Sequence, residues 1–215
     1  MHPQSTAWVV SGMLALAPAA AEPTLIARWS FDGAAPGENS VAGAPSGQIE
    51  RAQQVEGHDG KALAFEDWSL KNYLKPDPKL ASRVLVDHDP RLNPAFPFKV
   101  SAWIYPTADP IYYGGIVEKG RGFGASYRLL LLRGLKVEAS LGGKHITVRS
   151  QSPISLNAWH DVTLIADGRA LTLLVDGKEA GRAAAEPAEK LASADPLVIG
   201  DRFTGRIDEV TISRE

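Results

Sequence analysis

From Glu22 onward, apolar and polar residues trade places at every second position over short stretches, and turn residues punctuate the exchange. Leu25, Ala27, Trp29 and Phe31 alternate with Ile26, Arg28 and Ser30 until Asp32-Gly33 ends the run. Period two sends successive side chains to opposite faces, as in a half-buried strand. Ala62, Leu63 and Phe65 follow a turn at His58-Asp59-Gly60, and Val84-Leu85-Val86 is closed by His88-Asp89-Pro90. Phe98–Pro106 (FKVSAWIYP) carries apolar residues at both parities and reads as a central strand covered on two sides. Tyr127–Leu132 stops at Arg133-Gly134. Leu135, Val137, Ala139 and Leu141 then alternate with Lys136, Glu138 and Ser140, and Ile146 and Val148 repeat the pattern. Asp167-Gly168 joins Trp159–Ala166 to Leu171–Val175, and Asp176-Gly177 leads into Lys178–Ala183, both hairpin signals. Leu197–Ile199 and Arg206–Ile212 complete roughly a dozen short strands at sandwich or barrel spacing. Only Ala183–Ala194 has helix-forming composition, and Pro187 limits it to a turn or short helix. The pattern predicts an all-β domain, a sandwich or a barrel.

The closing strand breaks step. Ile207 and Val210 are three residues apart, Val210 and Ile212 two. All three face the core only if an extra residue is accommodated at Asp208-Glu209, which is a β-bulge.

Length and charge narrow the classes. A chain of 215 residues supports one large sandwich, and Lys plus Arg (23) against Asp plus Glu (25) leave −2, with the cations spread along the chain. Such a balance offers no footprint for nucleic acid. Cysteine is absent, which removes disulfides and thiolate chemistry. Residues 1–21 are uncharged apart from His2, and Ala7–Ala21 is an apolar run ending in three alanines before Glu22. It is too short to span a bilayer, which takes about 20 residues. It has the h-region and small-residue cleavage site of a signal peptide, although no Lys or Arg precedes it. The expectation is a mature domain over 22–215, secreted or periplasmic, with no transmembrane segment.

Several segments resemble the laminin-G-like, concanavalin A-type lectin/glucanase jelly rolls. Gly60-Lys61-Ala62-Leu63-Ala64-Phe65 is similar to that family's G-x-A-L-x-F strand. The stretch from Val86 to Asn93, followed by Phe98–Ile104, resembles its "v-x-d-x-p-x-L-n … F-t-v-s-a-W-v" block. Gly115–Gly120, Leu156–Val162, the Asp-Gly hairpins and Gly205–Ile212 (GRIDEVTI) match further motifs in order, over about residues 24–213. The resemblance implies an all-β, two-sheet antiparallel β-sandwich (a jelly roll) that recognises a glycan or an extracellular protein, often with calcium. Glu66–Ser82 is longer than the usual connection at that point.

Enzymes share this fold, and glycoside hydrolysis needs two carboxylates about 5–10 Å apart. The glucanase E-x-D-x-x-E strand does not occur, nor do G-x-S-x-G, H-E-x-x-H or a phosphate loop. The five histidines lack metal-like spacing, and His160 reads as a hydrogen-bonded, partly buried residue. The expected function is non-catalytic binding of a polysaccharide or glycan. The alternatives are a structural or adhesion domain meeting an envelope protein, or a glycoside hydrolase or polysaccharide lyase. Sugar rings stack on exposed aromatic faces. Trp68 and Tyr73 in the long connection, and Tyr112 and Tyr113 in the Pro110–Gly115 loop, are therefore the expected ligand residues. Phe123 and Phe203 lie in glycine-flanked loops and are also expected to be exposed, whereas Trp29, Trp103 and Trp159 fall in strand motifs and are expected in the core. For calcium, which prefers six to eight oxygens, the resemblance and the bulge point to Asp32 and Asp208.

Overall fold

A computed structural model describes residues 23–66, 80, 82–122, 125–142, 146–184 and 192–215. Trp68, Tyr73, Phe123, the apolar Ala7–Ala21 segment and most of Ala183–Ala194 lie outside them. The strands are β1 (Thr24–Trp29), β2 (Gly47–Glu50), β3 (Gln53–Glu56), β4 (Lys61–Phe65), β5 (Arg83–Val86), β6 (Phe98–Pro106), β7 (Tyr113–Lys119) and β8 (Tyr127–Leu132). They continue as β9 (Lys136–Leu141), β10 (Ile146–Arg149), β11 (His160–Ala166), β12 (Ala170–Val175), β13 (Lys178–Ala184), β14 (Leu197–Ile199) and β15 (Gly205–Arg214). Asp89 caps the short 3-10 turn Pro90–Leu92. No helix among the described residues is long and apolar enough to cross a membrane.

Two antiparallel sheets face each other. One runs β13-β12-β11-β6-β15-β4-β3, with β1 added on β15; the other runs β10-β9-β8-β7-β14-β5-β2. The last strand is divided between partners. Gly205–Ile207 pairs with Phe65–Leu63 of β4, and Val210–Arg214 pairs with β1. The predicted bulge is present: the β15–β6 register shifts between Asp208 and Thr211, and Glu209 sits at φ 48°. Because of it Ile207, Val210 and Ile212 are all fully buried.

Between the sheets Trp29, Phe31, Phe98, Tyr127, Leu129, Phe203 and Ile207 form the core. Burying such a side chain contributes about 1.5–3 kcal/mol. The hairpin at Asp176-Gly177 has φ 51° and 72°, the double left-handed turn its sequence predicts.

Two strands and several aromatics depart from expectation. β2 and β3 were not visible in the alternation, because Gly47–Glu50 and Gln53–Glu56 carry one apolar side chain each. β6 is not covered on two sides: its burial alternates strictly, with Phe98, Val100, Ala102 and Ile104 inside and Lys99, Ser101, Trp103 and Tyr105 half-buried outside. Trp103 and Trp159 are thus not core residues, and of the three strand tryptophans only Trp29 is. Phe203, expected in an exposed loop, is fully buried where the chain turns at Gly200 and Gly205 in crossing from β14 to β15.

Candidate functional site

The outer face of the seven-stranded sheet is laced with charge. Register sets Glu50 opposite Arg83, Glu118 opposite Arg128 and Glu138 opposite Arg149. Each pair is closed by a guanidinium Nε–H donating to a carboxylate oxygen, at 2.7, 2.8 and 2.7 Å. Opposite charges directly across an antiparallel ladder support each other. The groove above them holds about 770 Å³ and is floored by Leu130, Leu132 and Val198. Tyr113 stands in it with the guanidinium carbons of Arg128 and Arg202 at 5.5 and 5.6 Å from its ring centre. Arg83, Arg121, Arg128, Arg149 and Arg202 line it with Glu118, Glu138 and Asp201, and with Glu50 on Arg83 the balance is five cations to four anions.

Burial raises the Glu118 carboxyl above its ordinary range, against the pull of Arg128, and burial likewise raises the Tyr113 phenol. Gly115 makes room for this arrangement, since a Cβ there would collide with Glu118 Oε1. Buried polar groups of this kind, already paired and fixed in direction, suit recognition of hydroxyl-rich or anionic ligands.

The tyrosine pair is split. Tyr113 opens β7 and enters the groove, whereas Tyr112 is 58% exposed outside it. Tyr112 O accepts from Arg133 N, Asn157 N donates to Pro106 O, and Ile154 N donates to Leu135 O. Three loops are tied together in this way, and Ile111, Tyr112 and Leu156 stand exposed on them.

On the other sheet, the Gly57–Lys61 turn folds over the outer face and explains both acids expected to hold calcium. Asp208 Oδ2 accepts from His58 N (2.9 Å) and Asp59 N (3.1 Å), and Oδ1 accepts from Glu209 N (2.8 Å). Asp32 Oδ1 accepts from Lys61 N at 2.8 Å on the same turn. The two residues are brought to one turn, as expected, but as its clamps. Asp208 is fully buried, and its lone pairs are directed at three N–H donors, the wrong neighbours for a cation. No group of three or more His, Cys, Asp or Glu side chains among the described residues is placed to hold a metal. The donor set therefore does not fit calcium. Elsewhere a lysine takes up two backbone carbonyls: the buried Lys119 ammonium donates to Ser193 O (2.9 Å) and Asp195 O and meets His88 Nδ1.

The clamped turn lays His58 flat on Trp103, ring centres 3.6 Å apart and planes at 12°, with Trp159 edge-on to His58 at 5.8 Å. Tyr105 packs on Trp159, and Arg206 covers Tyr105 at 5.2 Å. Sequence reasoning missed this aromatic face. The available signal was parity, because Trp103 shares its side of β6 with Lys99 and Ser101.

His160 links two further groups: Ser155 Oγ lies 2.9 Å from Nε2 and Asp176 Oδ2 lies 2.9 Å from Nδ1. Asp176 Oδ1 also accepts from Asp161 N. The order serine–histidine–aspartate is that of a hydrolase triad. Here it joins the loop before β11 to the β12–β13 turn, and Ser155 does not line the groove over the seven-stranded sheet.

This fold is a two-sheet antiparallel jelly-roll β-sandwich. The chain belongs to the concanavalin A-like lectin/glucanases superfamily, whose family model matches residues 80–215. No curated protein matches in sequence. Among solved structures the chain is similar to domain 4 of AbnA, an extracellular GH43 arabinanase of Geobacillus stearothermophilus, solved with arabinotriose. Identity is 16% and TM-score 0.66, over 90% of this chain and 94% of that one. The binding domain of Paraclostridial Mosquitocidal Protein 1 is 14% identical with TM-score 0.71, over 89% and 49%. Trypanosoma rangeli sialidase, solved with sialic acid, is 14% identical with TM-score 0.62, over 86% and 30%. The chain thus spans about half of the toxin domain and under a third of the sialidase. At these identities the likeness is one of fold.

Proposed function

We propose that this protein is a non-catalytic recognition module that binds a glycan in the groove over the seven-stranded sheet. The observation that carries the reading is Tyr113 between two guanidinium groups above cross-strand Arg–Glu pairs, with an apolar floor. That set supplies fixed donors and acceptors for sugar hydroxyls and an apolar patch for a ring face. Five arginines against four acids, Glu50 included, favour a glycan bearing carboxylates. The solved arabinanase domain with arabinotriose is a precedent for sugar binding on the fold. We place the module outside the cytoplasm, on the strength of the Ala7–Ala21 segment; N-terminal sequencing of exported protein should begin at Glu22. The site is tested by titrating the mature protein with acidic and neutral oligosaccharides. Tyr113→Ala and Arg121→Glu should each weaken acidic-glycan binding about tenfold or more, equivalent to about 1.4 kcal/mol, the change at exposed Arg121 at unchanged melting temperature. Binding indifferent to both changes would remove the site.

One observation favours adhesion to a protein instead: Ile111, Tyr112 and Leu156 stand exposed on loops tied together by backbone bonds. Co-purification of an envelope protein, lost in Tyr112→Ala, together with silence across the oligosaccharides, would establish that reading.

A further inference from the structure

The outer face of the eight-stranded sheet is built in a way that holding the sandwich together does not require. Register aligns Thr163, Ser101, Thr211 and Arg28 in one row across β11, β6, β15 and β1. Asp161, Trp103 and Asp208 form the next row. The bulge swings Glu209 outward, where its two oxygens accept from Arg28 Nε and Nη2 at 2.7 and 2.8 Å. Ser101 and Thr211 hydroxyls share a 2.6 Å bond, and Thr163 Oγ1 donates to Asp161 Oδ1 at 3.2 Å. Between these rows and the His58 turn lies a groove of about 570 Å³, within the usual size of small-ligand clefts of roughly 300–1,000 Å³.

The wall of that groove is pre-set. Asp208 spends its Oδ2 on the His58 and Asp59 amides, and Gly57 leaves no room for a Cβ, which would come within 2.6 Å of that oxygen. The imidazole is thereby held on Trp103 before any ligand arrives, and pre-organisation of this kind lowers the ordering cost of binding.

Charge separates this groove from the first. Arg28 and Lys99 face Asp59, Asp161 and Glu209, two cations to three anions, and Arg28 is engaged by Glu209. An anionic glycan finds no excess cation here. Hydroxyl groups of both polarities beside aromatic rings suit an uncharged sugar.

We propose that the His58–Trp103 groove is a second ligand site, for a neutral oligosaccharide, on the sheet opposite the arginine groove. The inference does not rest on the first site, because it uses different residues and an uncharged ligand. With both grooves occupied, one molecule bridges two chains, and linked sites raise avidity when geometry allows both to engage.

The test follows indole N–H resonances of the mature protein during titration with neutral gluco-, xylo- and arabino-oligosaccharides, and separately with oligogalacturonate. A neutral oligosaccharide should shift the Trp103 and Trp159 indole signals and leave that of Trp29 in place, and oligogalacturonate should move none of the three. Trp103→Ala should weaken neutral binding at least tenfold, and Thr211→Arg, which fills the groove from its floor, serves if Trp103→Ala fails to fold. Silence of the Trp103 and Trp159 signals with every neutral oligosaccharide, or binding unchanged in Thr211→Arg, overturns the second site. Loss of oligogalacturonate binding in Arg121→Glu alone reports on the first site and leaves this one standing.

Discussion

At the scale of single residues, Asp208 decides most. Removing its carboxylate takes the acceptor from three part-buried backbone N–H groups, and each net hydrogen bond lost where water can replace the partner costs about 0.5–1.5 kcal/mol. Asp208→Ala should therefore lose about 3 kcal/mol, a fall of roughly 6–12 °C in melting temperature for a domain of this size. The same geometry predicts superimposable melting curves in calcium and in chelator. A shift of several degrees would mean that an ion binds the native state, and that the carboxylates leave their N–H partners. The acid was legible in the sequence through the spacing of Ile207, Val210 and Ile212; its chemistry was not. A carboxylate met in sequence carries no sign of whether N–H donors or a cation will face it. That is settled by the Gly57–Lys61 turn, about 150 residues away along the chain.

At the scale of elements, alternation located nearly every strand whose inner face is apolar, and failed where an edge strand has little to bury. β2 and β3 are such strands. It also misjudged β6, where Trp103 and Tyr105 were read as a second covered face. Their half-burial comes from His58 and Trp159, brought in by other segments. The Arg–Glu pairs of the first groove were invisible for a related reason, since cross-strand register is a long-range property. The Ser155–His160–Asp176 chain likewise appears only when the β12–β13 turn meets the start of β11. Read as a staple, it predicts that a fluorophosphonate probe leaves Ser155 unmodified. An adduct at Ser155, lost in His160→Gln, would instead make this domain an acyl-transfer enzyme.

At the scale of the whole molecule, the two outer faces store unfavourable ionisation. Burial raises the carboxyls of Glu118, Asp161 and Asp208 in the folded state. A folded pKa above the unfolded one means that the native state binds the proton more tightly. Stability from these groups is therefore gained as pH falls through the raised values and is lost as pH rises past them. Asp89 and Asp167 act oppositely, Asp89 being held at about 2 by Arg91, and their contribution is lost only in stronger acid. Melting temperature should thus hold or rise on acidification from neutrality toward the ordinary carboxylate range. Glu118→Gln should flatten that slope; a slope identical to the parent's would remove Glu118 as its source.

The central claim is that this lectin-type sandwich binds glycans without transforming them. Its most direct test is retention of the 22–215 protein on an immobilised panel of acidic and neutral polysaccharides, with the eluted sugars sized. The account predicts retention on at least one polysaccharide, reduced by Tyr113→Ala or by Trp103→Ala, and chains that emerge at their original length. Passage through every matrix, or shortened chains after contact with the protein, would contradict it.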